Sequence, residues 1–315
     1  MALDLRPLTL AELLDRSFSL YRHHFWLFVG IMAVPSVFGL AGGVLLQVLN
    51  AGMTGFASST KPPTPDQLLT MFVPFVIGLV LFSLLYGLTY MFALGATTVA
   101  VSDLYLGRDT TLGTAYASTR RHIVRLLLLM LWTMLRIGGV LVGGMTIVVV
   151  GGTLLGFVSP ILTVLVMLAG FPAVMFLFVF MMLRYAVTVP AVLLEQLTAG
   201  RSIQRSIMLT RGNLLRVFVL FICAGVIAYA TALLCQGPFM IGAFVAGEET
   251  TTAFWFRIAG LVFGTIGGTF SAPFGVVGLA LMYYDLRIRK EAFDLQHMLN
   301  TLDPPPAAAP AAAQP

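Results

Sequence analysis

Residues 119–150 read TRRHIVRLLLLMLWTMLRIGGVLVGGMTIVVV. Three arginines and a histidine crowd the first seven positions; the next 25 residues carry one charge, Arg136. A helix rising ~1.5 Å per residue covers ~30 Å of hydrocarbon in about 20 residues. A soluble helix of this length would show a polar face. This stretch has none, and it predicts a transmembrane helix.

Five more apolar runs of comparable or greater length follow the same logic. The six spans expected are 25–49, 68–101, 126–150, 160–194, 217–245 and 254–284. The second, fourth and sixth exceed thirty residues, so each must tilt, break or extend beyond the bilayer. Pro74, Pro172, Pro190 and Pro273 are the expected kink points, because proline removes a backbone bond and clashes with the preceding turn. Composition agrees. Of the 315 residues, 59% are hydrophobic and 10% charged, against roughly 25% charged in a soluble domain. Too few polar side chains are present to coat a globule. The expected fold is all-α and integral to the membrane, with six transmembrane helices.

The first segment, 8–24, is amphipathic, and the run after it is too long for a signal h-region and lacks a clear cleavage box. It is expected to stay as an anchor. Arginine placement sets the orientation. Arg6, Arg16 and Arg22 precede span one; Arg108, Arg120, Arg121 and Arg125 lie between spans two and three. Arg201, Arg205, Arg211 and Arg216 lie between spans four and five, and Arg287, Arg289 and Lys290 follow span six. The other side holds Lys61 and Arg257. Positive charge stays on the cytoplasmic face, so both termini are expected inside, in the inner membrane.

The connections repeat. Tyr21-Arg22-His23-His24, Thr119-Arg120-Arg121-His122 and Thr210-Arg211-Gly212-Asn213 each lead into an odd-numbered span. Arg125 and Arg216 stand five residues beyond their repeat arginines, where the first copy has Leu27. Arg16-Ser17-Phe18 matches Arg205-Ser206-Ile207. Asp103, Glu195 and Asp285 follow the even spans. The expected unit is an amphipathic interfacial helix (the first within residues 1–24) and a transmembrane hairpin, present three times, at about 8–103, 104–195 and 196–285. The membrane domain spans 25–290. Residues 291–303 are expected to be a cytoplasmic extension and the Pro/Ala-rich 304–315 a disordered tail.

Residues 184–216 contain Arg184-Tyr185-Ala186, Val189-Pro190-Ala191-Val192-Leu193-Leu194-Glu195, Gly200-Arg201-Ser202-Ile203-Gln204-Arg205-Ser206 and Leu209-Thr210-Arg211-Gly212-Asn213. Tyr283-Tyr284-Asp285-Leu286-Arg287-Ile288-Arg289-Lys290-Glu291-Ala292-Phe293-Asp294-Leu295 closes the last span. These stretches resemble the prokaryotic glycerophosphoryl diester phosphodiesterase membrane domain and its uncharacterised stand-alone relatives. The resemblance implies a membrane architecture. It implies no hydrolase, since that activity belongs to a separate catalytic domain, and the roughly thirty residues after span six cannot form one.

Arg136 and Arg184 are the odd residues. On straight helices each would sit ~16 Å beyond Arg125 or Glu195, near mid-depth, where a charge must face the bundle interior or a wet cavity. They could share an anion site for a lipid phosphate. Alternatively, span four ends near Met182 and Arg184 snorkels. Arg22, Arg120 and Arg211 form a candidate lipid-recognition collar; the plainer reading is that the interfacial arginines set topology and pair with Asp103, Glu195 and Asp285. Gly138, Gly139, Gly143, Gly144, Gly260, Gly264 and Gly268 suggest close helix packing, and Cys223 and Cys235 small core positions. No cofactor or metal is expected, and no catalytic motif appears. The expected function is a non-catalytic membrane component binding lipids, anionic ones foremost, or a protein partner or second copy, and not nucleic acid. A lipid-translocating transporter is the first alternative and a headgroup enzyme the second.

Overall fold

The computed structural model describes residues 8–57, 65–247 and 250–291; the expected extension and tail beyond 291 lie outside them. Ten helices are described: α1 (Leu10–His23), α2 (Phe25–Ala57), α3 (Pro65–Tyr105), α4 (Leu112–Arg120), α5 (Ile123–Gly156), α6 (Pro160–Arg184), α7 (Thr188–Leu194), α8 (Ala199–Thr210), α9 (Leu214–Ala246) and α10 (Thr251–Glu291). Six apolar segments are long enough to cross a membrane. Phe157 is 89% exposed and Phe244 83%, and large apolar side chains stand open along most of the long helices. On helices of this length, such a surface is the one a bilayer covers. The chain is an all-α, multi-pass membrane protein.

A short helix followed by two long ones occurs three times: α1 with α2 and α3, α4 with α5 and α6, α8 with α9 and α10. Each short helix begins after a threonine. Thr9 Oγ1 accepts from the Glu12 N–H while the Glu12 carboxylate accepts from the Thr9 N–H; Thr111 and Thr114 make the same reciprocal pair before α4. Such pairs satisfy donors that the first turn leaves free. The third short helix starts after Thr198 without a side-chain bond.

Packing of the short helices is cyclic. α4 lies against α3, α8 against α7, and α1 against α10, so the first unit is joined to the last. α10 is the central strut. It packs against α9 and α2 most extensively, and also against α1, α3, α7 and α8. From Pro273 to Ile288 nearly every residue of α10 is buried, including Val277, Ala280 and Tyr283 at 0% exposure.

The expected kinks resolve individually. Pro74, Pro172 and Pro273 remain inside continuous helices. The fourth span breaks, at Tyr185–Val187, between α6 and α7. In an unbroken helix the Pro190 ring would strike the Ala186 carbonyl and leave it unpaired; opening the chain there puts Pro190 in the first turn of α7, where a missing N–H costs nothing. Gly107 at φ 74° ends α3 and Gly212 at φ 83° follows α8, conformations that glycine adopts without strain.

The glycine contacts differ in part from the expected set. A Cβ on Gly260 would lie 3.2 Å from Phe239, and one on Gly264 3.0 Å from the Gln236 side chain. The third contact on α9 is made by Gly267, 2.9 Å from Cys235 Sγ; Gly268 faces open space. In α5, Gly144 packs on Val174, whereas Gly138, Gly139 and Gly143 touch nothing across the helix. Gly267→Leu should therefore wedge α9 from α10 and destabilise by about 1–3 kcal/mol, while Gly138→Leu should stay within about 0.5 kcal/mol. Unfolding of both variants in detergent, followed by circular dichroism, checks the contrast.

Candidate functional site

Charge collects where the short helices meet the ends of α3, α7 and α10. Asp285 is 1% exposed. Its carboxylate accepts from the Leu8 N–H at 2.8 Å, from Arg216 Nη2 at 3.0 Å and from Arg289 Nε at 3.0 Å. Arg216 Nη2 and Arg289 Nη2 also donate to the Leu8 carbonyl. A buried carboxylate thus ties Leu8, on the approach to α1, to α9 and α10. Such a group is tolerable only when paired and hydrogen-bonded.

A second network surrounds Glu195, just after α7. Arg205 Nε from α8 donates to both carboxylate oxygens, at 2.9 and 3.0 Å, and the Tyr283 hydroxyl donates to Oε1. Arg205 also pairs with Glu291, and Arg287 Nε bridges Glu291 at 3.1 Å and Glu195 at 3.8 Å. Two carboxylates and two guanidiniums form a closed ring. The hydrogen bond to Glu291, the larger influence, and the bond to Glu195 hold the Arg205 pKa above its usual value, so it keeps its charge at every physiological pH. Lys290 Nζ donates to the Met208 and Arg211 carbonyls at the end of α8, where a cation favours the helix dipole.

Arg125 and Arg216 have equivalent tasks. Arg125 Nη1 donates to the Gln196 carbonyl at 2.9 Å, in the turn before α8; Arg216 holds the Leu8 carbonyl in the turn before α1. Each reaches from the start of a long helix to the approach of the next short one. Leu27, at the matching place in the first unit, can make no such bond.

Hydroxyls from the short helices reach carbonyls of the long ones. Pro35 leaves the Ile31 carbonyl without its helical donor, and the Tyr116 hydroxyl supplies one at 2.8 Å. The Tyr21 hydroxyl donates to the Phe270 carbonyl at 2.6 Å, three residues before Pro273. Ser206 Oγ donates to the Arg184 carbonyl at 2.7 Å, where α6 ends. Burial pushes the Tyr21 and Tyr116 phenols up to about 12, so both remain donors.

The expected site residues divide. Glu195 and Asp285 are charge partners. Asp103 is half-buried and makes no side-chain ion pair or hydrogen bond among the described residues; beside it, Ser102 Oγ is 2.7 Å from the Tyr284 hydroxyl. Arg22, Arg120 and Arg211 are exposed, and none has a carboxylate partner among the described residues. Arg136 is exposed and does not face the bundle interior; its guanidinium lies 5.2 Å from the Trp132 ring centre. Arg184 ends α6. It is half-buried, lies 4.9 Å from the Phe180 ring centre and leaves Nε without a hydrogen-bond partner. Because Gly144 meets Val174 and Gly170 meets Val148, antiparallel register brings Arg136 and Arg184 to one level of the α5–α6 hairpin. Among the described residues no group of three His, Cys, Asp or Glu side chains could hold a metal ion.

Residues 73–286 match a family called domain of unknown function (DUF7847). The chain belongs to that family. The match runs from α3 to Leu286 in α10, so it takes in Glu195, Arg205, Arg216, Asp285 and most of the two later units of the DUF7847 chain. No curated protein and no solved structure matches it.

Neutralising Asp285 leaves Arg216 and Arg289 uncompensated beside buried backbone. Asp285→Asn should cost the DUF7847 chain about 3 kcal/mol. Tyr116→Phe, which strands the Ile31 carbonyl, should cost about 1–2 kcal/mol. Thermal unfolding in one detergent, with Arg22→Gln as an unaffected reference, measures both.

Proposed function

We propose that this protein is a non-catalytic membrane component that recognises anionic lipid headgroups through a collar of arginines at the cytoplasmic face of the inner membrane. The observation that carries the reading is the division of the arginines. Arg205, Arg216, Arg287 and Arg289 are paired with carboxylates. Arg22, Arg120 and Arg211, at matching places where a short helix gives way to a long one, are exposed and without an acidic partner among the described residues. Cations held beside an apolar belt and not neutralised by the protein attract lipid phosphates, each by about 1 kcal/mol.

The hairpin pair supports the same reading. From Arg136 to Gly156 is ~30 Å of helix, and from Pro160 to Arg184 ~36 Å; neither stretch carries a charge between those ends. That length is enough to cross the hydrocarbon, so neither guanidinium has to lie at mid-depth. An aromatic ring under each guanidinium is a common interfacial arrangement. The resemblance of residues 184–216 to glycerophosphoryl diester phosphodiesterase membrane domains fits a membrane component of this kind.

The test is native mass spectrometry of protein ejected from nanodiscs containing equal phosphatidylglycerol and phosphatidylcholine. Wild type should retain the anionic lipid preferentially. The triple variant Arg22→Gln/Arg120→Gln/Arg211→Gln should lose about 3 kcal/mol of that preference, roughly 100-fold. An unchanged ratio would remove the collar.

A further inference from the structure

α2, α3 and α10 do not close on one another along their whole length. Between them lies a cavity of about 520 Å³, within the range of sites that hold small molecules. It is lined by Pro35, Ser36 and Gly39 of α2, by Phe82, Tyr86 and Tyr90 of α3, and by a strip of α10 from Thr265 to Ala272. A second pocket of about 260 Å³ shares Leu46 and Phe82 with it and continues between α2 and α3 toward Leu49 and Pro74.

The walls are built, not merely loose. Phe82, Tyr86 and Tyr90 stack in sequence at 6.3 and 6.2 Å between ring centres. Glycines of α2 seat two of them: a Cβ on Gly42 would lie 1.8 Å from the Phe82 ring, and one on Gly39 3.0 Å from Tyr86. Across the space Gly268 meets nothing within 4 Å. Its Ser36 and Thr265 hydroxyls are taken up by their own helices, donating to the Met32 and Leu261 carbonyls. The hydroxyls of Tyr86 and Tyr90 have no hydrogen-bond partner among the described residues.

The cavity is also polarised. α3 runs toward the basic face, so Tyr90 and then Tyr86 lie nearest that face, with Phe82 and the wholly apolar second pocket beyond them. An occupant must be hydrocarbon at one end and must offer hydrogen-bond acceptors at the other, toward the basic face. Free tyrosine hydroxyls in apolar surroundings are unfavourable without such acceptors, and helices that span a membrane have lipid beside them. We infer that the cavity holds one phospholipid from the leaflet on the basic side, an acyl chain filling the α2–α3–α10 space and an ester carbonyl accepting from Tyr86 and Tyr90. This site is separate from the arginine collar and needs no anionic headgroup.

Two measurements on the full chain decide it. After prolonged detergent exchange, native mass spectrometry should find one phospholipid per wild-type chain, retained equally by the Arg22→Gln/Arg120→Gln/Arg211→Gln variant. Gly268→Leu, which places a side chain in open space, should lower that occupancy at least tenfold, and Tyr86→Phe/Tyr90→Phe should shorten retention. In wild type, a phosphatidylcholine carrying a diazirine on its acyl chain should crosslink mainly to residues 82–90 and 265–272. Crosslinks spread evenly over all exposed helix faces would overturn the inference. So would phospholipid retained equally by Gly268→Leu, or a retained mass that is not an acyl lipid.

Discussion

Hydrocarbon cannot solvate charge, and that constraint sorts this chain before any contact forms. Apolar stretches of 25 to 41 residues leave most of the arginines the helix ends and the connections; Arg136, inside α5, is the exception. Loops of opposite polarity would split them between two faces. Here the approach to α1, the start of α9 and the end of α10 share one face, as the bonds from Leu8 to Asp285 and Arg216 require. Arg205 and Lys290 join α8 to the same end of α10, and α4 packs on α3. The ion pairs among the described residues that join these elements lie on that face.

Concentrated cations repel, and the structure answers with carboxylates that have little or no access to water. Asp285 and Glu195 do not add stability in proportion to their number of bonds, because desolvation offsets most of the Coulomb gain. They add geometry. Asp285 draws the start of the chain onto its end, and Glu195 joins α7 to α8 and α10. Since α4 lies on α3, α8 on α7 and α1 on α10, the units follow one another around a closed circuit. Ion pairs and the Arg125 and Arg216 links to backbone carbonyls tie the second unit to the third and the third to the first. Helix packing and the Tyr116 hydroxyl bond to the Ile31 carbonyl join the first to the second. The arginines left over are the ones proposed to address lipid.

Much of this was legible in residue order. Apolar length fixed the spans, and arginine spacing marked the three short helices. The placement of Arg125 and Arg216 five residues past their repeat arginines pointed to a shared task, though not to its nature, because a backbone carbonyl leaves no signature in sequence. Thr9, Thr111 and Thr198 were a legible signal of helix starts that the arginines overshadowed. Asp103 looked equivalent to Glu195 and Asp285 yet finds no cation, since α4 offers nothing corresponding to Arg205. Arg136 was expected to face inward on the cost of a buried charge; depth along a helix is readable from sequence, but position relative to the bilayer depends on where the hairpin turns. The Pro35 carbonyl partner and the α2–α3–α10 cavity arise from pairs of helices distant in sequence, which no local pattern encodes.

The decisive measurement is sidedness. In a chain whose natural Cys223 and Cys235 are replaced by alanine, single cysteines at Ser19, Ser118 and Gln204, one per short helix, would be treated with a membrane-impermeant maleimide in intact cells and in inverted vesicles. All three should label in inverted vesicles only, while cysteines at Ser159 and Thr250 label in intact cells only. Labelling of the three short helices from different sides would contradict the single basic face, and with it the closed circuit and the arginine collar.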